Sequence, residues 1–142
     1  MRTLPLIQYG FEALQRERPH VYARFCALVD GLSMQLQTEE GELYYSFNPT
    51  GHRENRSQRT ADVEIGCLDA VLRSLALGET TILDELLSDR LHVKGSAWSL
   101  ATFDEALPLW IVGVMGCRES EDLFERWAKS ESATRGRSNA RL

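Results

Sequence analysis

The stretch ALVDGLSMQLQ, residues 27–37, decides the fold because a helix pattern changes into a strand pattern within it. Before the change, apolar residues recur at helical spacing over 21–29, and a proline at position 19 suits a first helical turn. After Gly31, a residue typical of helix ends, apolar and polar residues alternate over 32–37. The sequence therefore predicts a helix that leads directly into a strand with one wet face.

Further strands follow this one. Residues 39–42 predict a hairpin turn, and alternation over 43–47 predicts a second strand antiparallel to the first. Residues 48–57 are rich in Asn, Pro, Gly and charge, which predicts a surface loop. Alternation resumes over 61–65 and predicts a third strand.

Two helical segments and a fourth strand come next. Residues 67–77 have helical spacing and are followed by a glycine suited to a helix end. Thr81 with Asp84 resembles a capping box that opens a short helix. Alternation over 91–94, closed by Gly95, predicts the fourth strand.

The two ends of the chain are predicted to be helical. Thr102 with Glu105 offers a capping box for a long helix that Pro108 should bend, and Ser120 opens a last helix. Helical spacing also marks the N-terminal segment. We expect three parts: an N-terminal helix extension (1–18), one domain (19–129) and a disordered tail (130–142).

Four stretches carry a family resemblance: LVDGL at 28–32, DVEI at 62–65, LALGE at 75–79 with the leucine-rich segment 83–87, and LHVKG at 91–95. With their order, they resemble the sterol carrier protein type 2 superfamily over about Val21 to Val114. The resemblance implies an α+β fold in which helices cover one face of a mostly antiparallel five-stranded sheet, with an apolar cavity between them. It also implies a binding or carrier protein.

The implied ligand is a hydrophobic small molecule such as a lipid, an acyl chain, or a sterol-like or polyketide-like compound. The same apolar residues would either line a cavity or fill a core. They are Met34, Leu36, Tyr45, Phe47, Val63, Ile65, Leu72, Leu75, Leu83, Leu87, Phe103, Leu107, Trp110, Ile111 and Val114.

An enzyme on the same fold is the alternative, such as a cyclase or isomerase acting on a hydrophobic substrate in a bacterial biosynthetic pathway. No nucleophile motif is present, so acid or base assistance would come from single residues. The candidates are Asp104, Glu105, Tyr44 and Tyr45. A third hypothesis is an interaction module that dimerises through its apolar C-terminal helix.

The segment that follows the second strand carries the most basic part of the chain. His52, Arg53, Arg56 and Arg59 offer groups that could hold an acidic head group at a cavity mouth. A solvated loop is the simpler interpretation.

Composition and charge exclude some classes of binding partner. Net charge is −5, with 16 Lys and Arg against 21 Asp and Glu, which argues against nucleic acid. The longest apolar stretch, 106–117, is shorter than the roughly 20 residues that cross a bilayer, so we expect no membrane insertion.

The three cysteines and three histidines lack the spacing of a zinc site or a disulfide framework, so we expect no metal and no cofactor. We expect a cytoplasmic protein. The C-terminal Ala140-Arg141-Leu142 matches a peroxisomal address, which would matter only in a eukaryote.

Overall fold

The computed structural model describes residues 2–55 and 60–140 of the chain. Helices and strands alternate in blocks, which confirms the predicted α+β class. In chain order the elements are α1 (Thr3–Glu17), α2 (Pro19–Leu28), β1 (Ser33–Thr38), β2 (Gly41–Asn48), β3 (Gly51–Glu54), β4 (Val63–Cys67), α3 (Asp69–Ala76), α4 (Ile82–Leu87), β5 (Leu91–Gly95), α5 (Ala97–Met115) and α6 (Arg118–Ala140).

The five strands form one sheet in the order β3-β2-β1-β4-β5. β1 and β4 are parallel, and every other neighbouring pair is antiparallel. The parallel pair is tied at its start, where the Asp62 carboxylate accepts the backbone N–H of Ser33 at 2.9 Å and its hydroxyl at 3.0 Å. The mostly antiparallel five-stranded sheet that the resemblance implied is confirmed.

β3 lies inside the segment for which the residue pattern predicted a loop, so that prediction was wrong over Gly51–Glu54. The Asn48 side chain accepts the backbone N–H groups of Thr50 and Gly51 at 2.9 and 3.0 Å, which turns the chain tightly. The polar residues after the turn then pair with β2 as an edge strand, Phe47 opposite His52. Edge strands tolerate polar side chains, which is why alternation did not reveal this one.

Helix α1 belongs to the same core as the sheet. Its Leu6, Phe11 and Leu14 are buried, and Phe11 packs against side chains of β2. The Trp127 indole of α6 donates a hydrogen bond to the buried hydroxyl of Thr3 at 3.0 Å, which joins the two ends of the chain. The α6 helix spans Arg118–Ala140, and the division of the chain into an N-terminal extension, a domain and a tail stays a prediction.

Two predicted helix starts had different outcomes. The Thr81 hydroxyl accepts the Asp84 backbone N–H at 3.1 Å, which confirms Thr81 as the N-cap of α4. The predicted start at Thr102 is wrong, because Ser96 caps α5 by accepting the Ser99 N–H at 3.1 Å. α5 then runs through Pro108 as one helix.

Within 2–55 and 60–140, no single helix is both long and apolar enough to cross a membrane. One sharply bent pair, Ala97–Met115 with Arg118–Ser130, meets the length and composition criteria together.

Candidate functional site

One row of side chains crosses the helix-covered face of the sheet from β2 to β5. The strand register places Leu43 beside Leu36, Leu36 beside Ile65, and Ile65 beside Val93. Exposure rises along this row, from 2% for Leu43 and 5% for Leu36 to half-buried Ile65 and 39% for Val93. The helices therefore cover the β1–β2 part of this face and leave the β5 part open.

α5 forms one wall of the open part. Leu100, Phe103, Leu107 and Ile111 are spaced by three or four residues and share one side of the helix. The Leu100 side chain comes within 3.3 Å of the place that a Cβ on Gly95 would occupy, so this stripe begins against the end of β5. Leu107 is half-buried and Ile111 is 46% exposed, which leaves apolar surface available along the wall.

α3 supplies apolar residues on the other side. Leu72 packs against the central core and also against the smaller cluster of Cys67, Val71 and Leu91. Leu75 packs against the same smaller cluster, and both leucines remain half-buried. We call the partly exposed apolar set the open side; it consists of Ile65, Leu72, Leu75, Val93, Leu100, Phe103 and Leu107.

The opposite part of the face is filled by rings and is called the closed side. The ring of Phe11, 3% exposed, has five aromatic neighbours, with centroids between 4.8 and 6.0 Å away. Packing of this kind leaves the closed side as ordinary core. The five rings around Phe11 belong to Phe25, Tyr45, Phe47, His52 and Trp110.

A partly buried polar pair at the rim of the closed side was missed by sequence reasoning. The Tyr22 hydroxyl lies 2.5 Å from His52 Nδ1 and accepts the His52 backbone N–H at 2.8 Å. Burial lowers the pKa of His52, and burial raises the pKa of Tyr22 to about 12. Both groups are therefore neutral near pH 7, and the pair joins α2 to β3. The position of His52 beside Tyr22 could have been predicted from the sequence only if β3 had been recognised as a strand.

The predicted ligand-binding residues divide between these regions. Met34, Leu36, Tyr45, Phe47, Val63 and Val114 are buried, at 1–7% exposure. Ile65, Leu72, Leu75, Phe103, Leu107 and Trp110 are half-buried, and Leu83, Leu87 and Ile111 are exposed.

The predicted catalytic candidates are not gathered into one site. Tyr44 and Tyr45 are adjacent on β2 and point to opposite faces of the sheet. Tyr45 is buried among the rings of the closed side, where burial raises its pKa. Asp104 and Glu105 are exposed on α5. An acid and a tyrosine from this set therefore do not face a common substrate.

The predicted head-group residues are only partly described. His52 and Arg53 lie on β3, whereas Arg56 and Arg59 lie outside the described residues.

Two surface clefts differ from the open side because charged side chains contribute to the lining of each; the lining of the larger is mixed and that of the smaller is mainly polar. One of about 350 Å³ lies between the start of α1 and β2, with Arg2, Glu40, Glu42 and Glu54 among its lining residues. The other, of about 240 Å³, lies between α3 and α4 beside Glu85. Apolar ligands favour apolar linings, so the open side is the candidate site.

Comparisons by sequence find nothing. No family model matches the chain, and no curated protein matches it.

Comparisons by structure agree on the fold. A UbiJ-SCP2 ubiquinone synthesis protein superposes with a TM-score of 0.55 at 16% identity, covering 80% of this chain and 95% of that one. A crystal structure of sterol carrier protein 2 gives 0.53 at 15% identity, with the same coverage of 80% and 95%. A conserved hypothetical protein from Thermus thermophilus gives 0.52 at 16% identity, covering 80% and 87%. This level of likeness shows the fold of the sterol carrier protein 2 superfamily, as the sequence resemblance predicted.

Proposed function

We propose that this chain, which has the sterol carrier protein 2 fold, binds a hydrophobic small molecule on its open side and carries it. The observation that supports this most directly is Val93, a β-branched residue on the helix-covered face that remains 39% exposed. An apolar residue at this position is normally covered by the domain's own helices. A bound apolar molecule would supply the missing cover.

The chemistry of the open side favours a lipid-like ligand. None of its seven residues carries a charged or hydrogen-bonding side chain. Binding would come from apolar surface removed from water, at roughly 25 cal/mol per Å². Acyl chains, sterol-like molecules and polyketide-like molecules all fit this requirement, and each would be selected by shape rather than by polar contacts.

The alternatives receive less support. Tyr44 and Tyr45 on β2 are not gathered with Asp104 and Glu105 on α5, and within residues 2–55 and 60–140 we find no other group that favours an enzyme over a carrier. The interaction module and the homodimer stay predictions. A cytoplasmic location is part of our proposal, and the peroxisomal address stays a prediction because Arg141 and Leu142 lie outside the described residues.

The test is native mass spectrometry of the freshly purified chain, followed by organic extraction. We expect a stoichiometric apolar adduct, or one that forms when stearate or a sterol is added. Val93→Asp should lose the adduct because it places a carboxylate on the apolar floor. Lys94→Asp, which changes the neighbouring residue on the outer face, should keep it. An unmodified mass that persists with every added lipid would contradict the proposal.

A further inference from the structure

Helix α4 has its apolar residues on the outside. Ile82, Leu83 and Leu87 are 50%, 64% and 77% exposed, whereas Glu85 is 3% exposed. At 100° per residue, Leu83 and Leu87 lie nearly opposite Glu85 on the helix. A surface helix of a globular protein normally buries its apolar side and exposes its charges. In α4 this arrangement is reversed.

Polar contacts hold α4 in this orientation. The Glu85 carboxylate accepts a hydrogen bond from the Thr80 hydroxyl at 2.8 Å, and Arg90 Nε lies 3.0 Å from its other oxygen. Arg90 is itself largely exposed, so water weakens this ion pair. Glu85 is the buried residue of α4, so little apolar burial opposes a rotation of the helix.

A left-handed residue interrupts the chain on each side of α4. Gly78 before α4 has φ 73°, and Asp89 after it has φ 59°. Within residues 2–55 and 60–140, Asp89 is the only residue other than glycine that has a positive φ. Both residues end a helix: the N–H of the next residue bonds five residues back, Glu79 to Ser74 after α3 and Arg90 to Glu85 after α4. Residues 78–89 are thus set off from α3 and β5 by a break in the regular backbone on each side, and a turn of α4 would take place at these two breaks.

We propose that α4 is a lid that rolls about its own axis when a ligand binds, so that Leu83 and Leu87 cover the molecule on the open side. α4 packs beside β5, the strand that carries the exposed Val93. Apolar surface thus faces solvent both on the helix and on the strand next to it. After the roll, Leu83 and Leu87 would face a ligand lying on Val93, and both apolar surfaces would be buried together. This inference rests on the proposed function and adds a moving element to it.

The lid is tested by the reactivity of a thiol placed on α4. In Leu87→Cys the new side chain takes a position that is 77% exposed, so a water-soluble maleimide should modify it quickly. The native Cys26, Cys67 and Cys117 are buried, and burial raises the pKa of each, so they react slowly. Val112→Cys on α5, at a position 67% exposed and outside the open side, is the matched control.

With saturating NBD-labelled stearate, we expect modification of Leu87→Cys to slow by at least about tenfold, since a closed lid excludes the reagent. Modification of Val112→Cys should not change. An unchanged rate at both positions, measured while the stearate is bound, would overturn the lid and leave the proposed function standing. Slowing at both positions would also overturn it, because the effect would not be local.

A double variant of α4 measures the contribution of this helix to ligand affinity. Leu83→Ser with Leu87→Ser should weaken stearate binding by about tenfold, because the closed lid loses its apolar contacts. The melting temperature of the unliganded protein should stay close to that of the parent, since both positions are exposed. Unchanged affinity in the double variant would contradict the lid. Failure of the parent chain to bind any lipid would instead contradict the proposed function, and the lid with it.

Discussion

The closed and open sides of one sheet face differ in what covers them. Leu43 and Leu36 belong to the same buried cluster as the aromatic rings and are 2% and 5% exposed, whereas Val93 in the same row is 39% exposed. The strands and the residue types are alike, so the difference comes from the helices. Where α1, α2 and the Trp110 part of α5 pack aromatic rings together, the face is a core; beside Leu100 to Leu107 of α5 those rings are absent, and the face is available to a ligand. Changes on the closed side should therefore cost stability, and changes on the open side should cost binding.

The largest expected effect is on the closed side. Phe11→Ala should lower the free energy of unfolding by about 3–5 kcal/mol, because it removes a ring that contacts five others. Chemical denaturation measures this change. Val112→Ala, at an exposed position of α5, should stay within about 0.5 kcal/mol of the parent. A loss below about 1 kcal/mol for Phe11→Ala would mean that the closed side is not tightly packed.

The second prediction concerns the packing of α5 on its neighbours. A Cβ on Gly113 would come within 2.7 Å of Leu14 and 2.9 Å of Val21, so Gly113→Ala should destabilise the protein by about 1–3 kcal/mol. The control is Gly66→Ala on β4, where a Cβ meets nothing within 4 Å. That variant should stay within about 1 kcal/mol of the parent. Equal changes in the free energy of unfolding for the two variants would contradict the view that Gly113 lies in a filled interface and Gly66 beside free space.

The third prediction is for the open side. Val93→Thr keeps the side-chain shape and the strand preference but adds a hydroxyl to the apolar floor. We expect the dissociation constant for NBD-labelled stearate to rise about fivefold, or about 1 kcal/mol. Unfolding should change by less than about 0.5 kcal/mol, because the position is partly exposed. A fluorescence titration measures the affinity, with Lys94→Gln on the outer face as control. Loss of stability without loss of affinity would place Val93 in an ordinary core.

The smallest expected effect is a pH dependence from the closed side. Burial lowers the pKa of His52, against a weaker opposite effect of Glu12. The unfolded chain therefore takes up the proton first, with a pKa of about 6.5. The stability that neutral His52 contributes is complete above that pH and is lost as the pH falls through it towards the lower pKa of the folded state.

His52→Asn tests this dependence, because an amide oxygen can still accept a hydrogen bond from Tyr22 but cannot titrate. The parent should lose more unfolding free energy than the variant between about pH 7.5 and about pH 5.5. Equal losses would show that His52 does not contribute to the acid response.

The sequence predicted the elements whose residues follow a clear period. The helix-to-strand change at Gly31 and the Thr81 cap were confirmed, since each depends on local spacing alone. β3 was missed because its strand character comes from pairing with β2 and not from its own residues. The start of α5 was misplaced because Ser96 provides a nearer cap than Thr102.

The division of the predicted binding residues into two sides could not be predicted. Helical spacing shows that Leu83 and Leu87 share a face of α4, but not whether this face points inward. Contacts of Glu85 with Thr80 and Arg90 decide that question, and they depend on the folded arrangement. Similarly, the alternation in β2 and β5 looks alike in sequence, and only the position of α1 and α5 shows which strand is covered.

The most direct test of the central claim is to locate a bound lipid on the chain. A stearate carrying a diazirine would be added to the protein and activated by light, and the labelled peptides would be identified by mass spectrometry. We predict adducts in the segments that contain Val93 and Phe103 to Leu107, and their loss in Val93→Asp. Adducts concentrated around Phe11 and Phe47, or no adducts at all, would contradict a binding site on the open side.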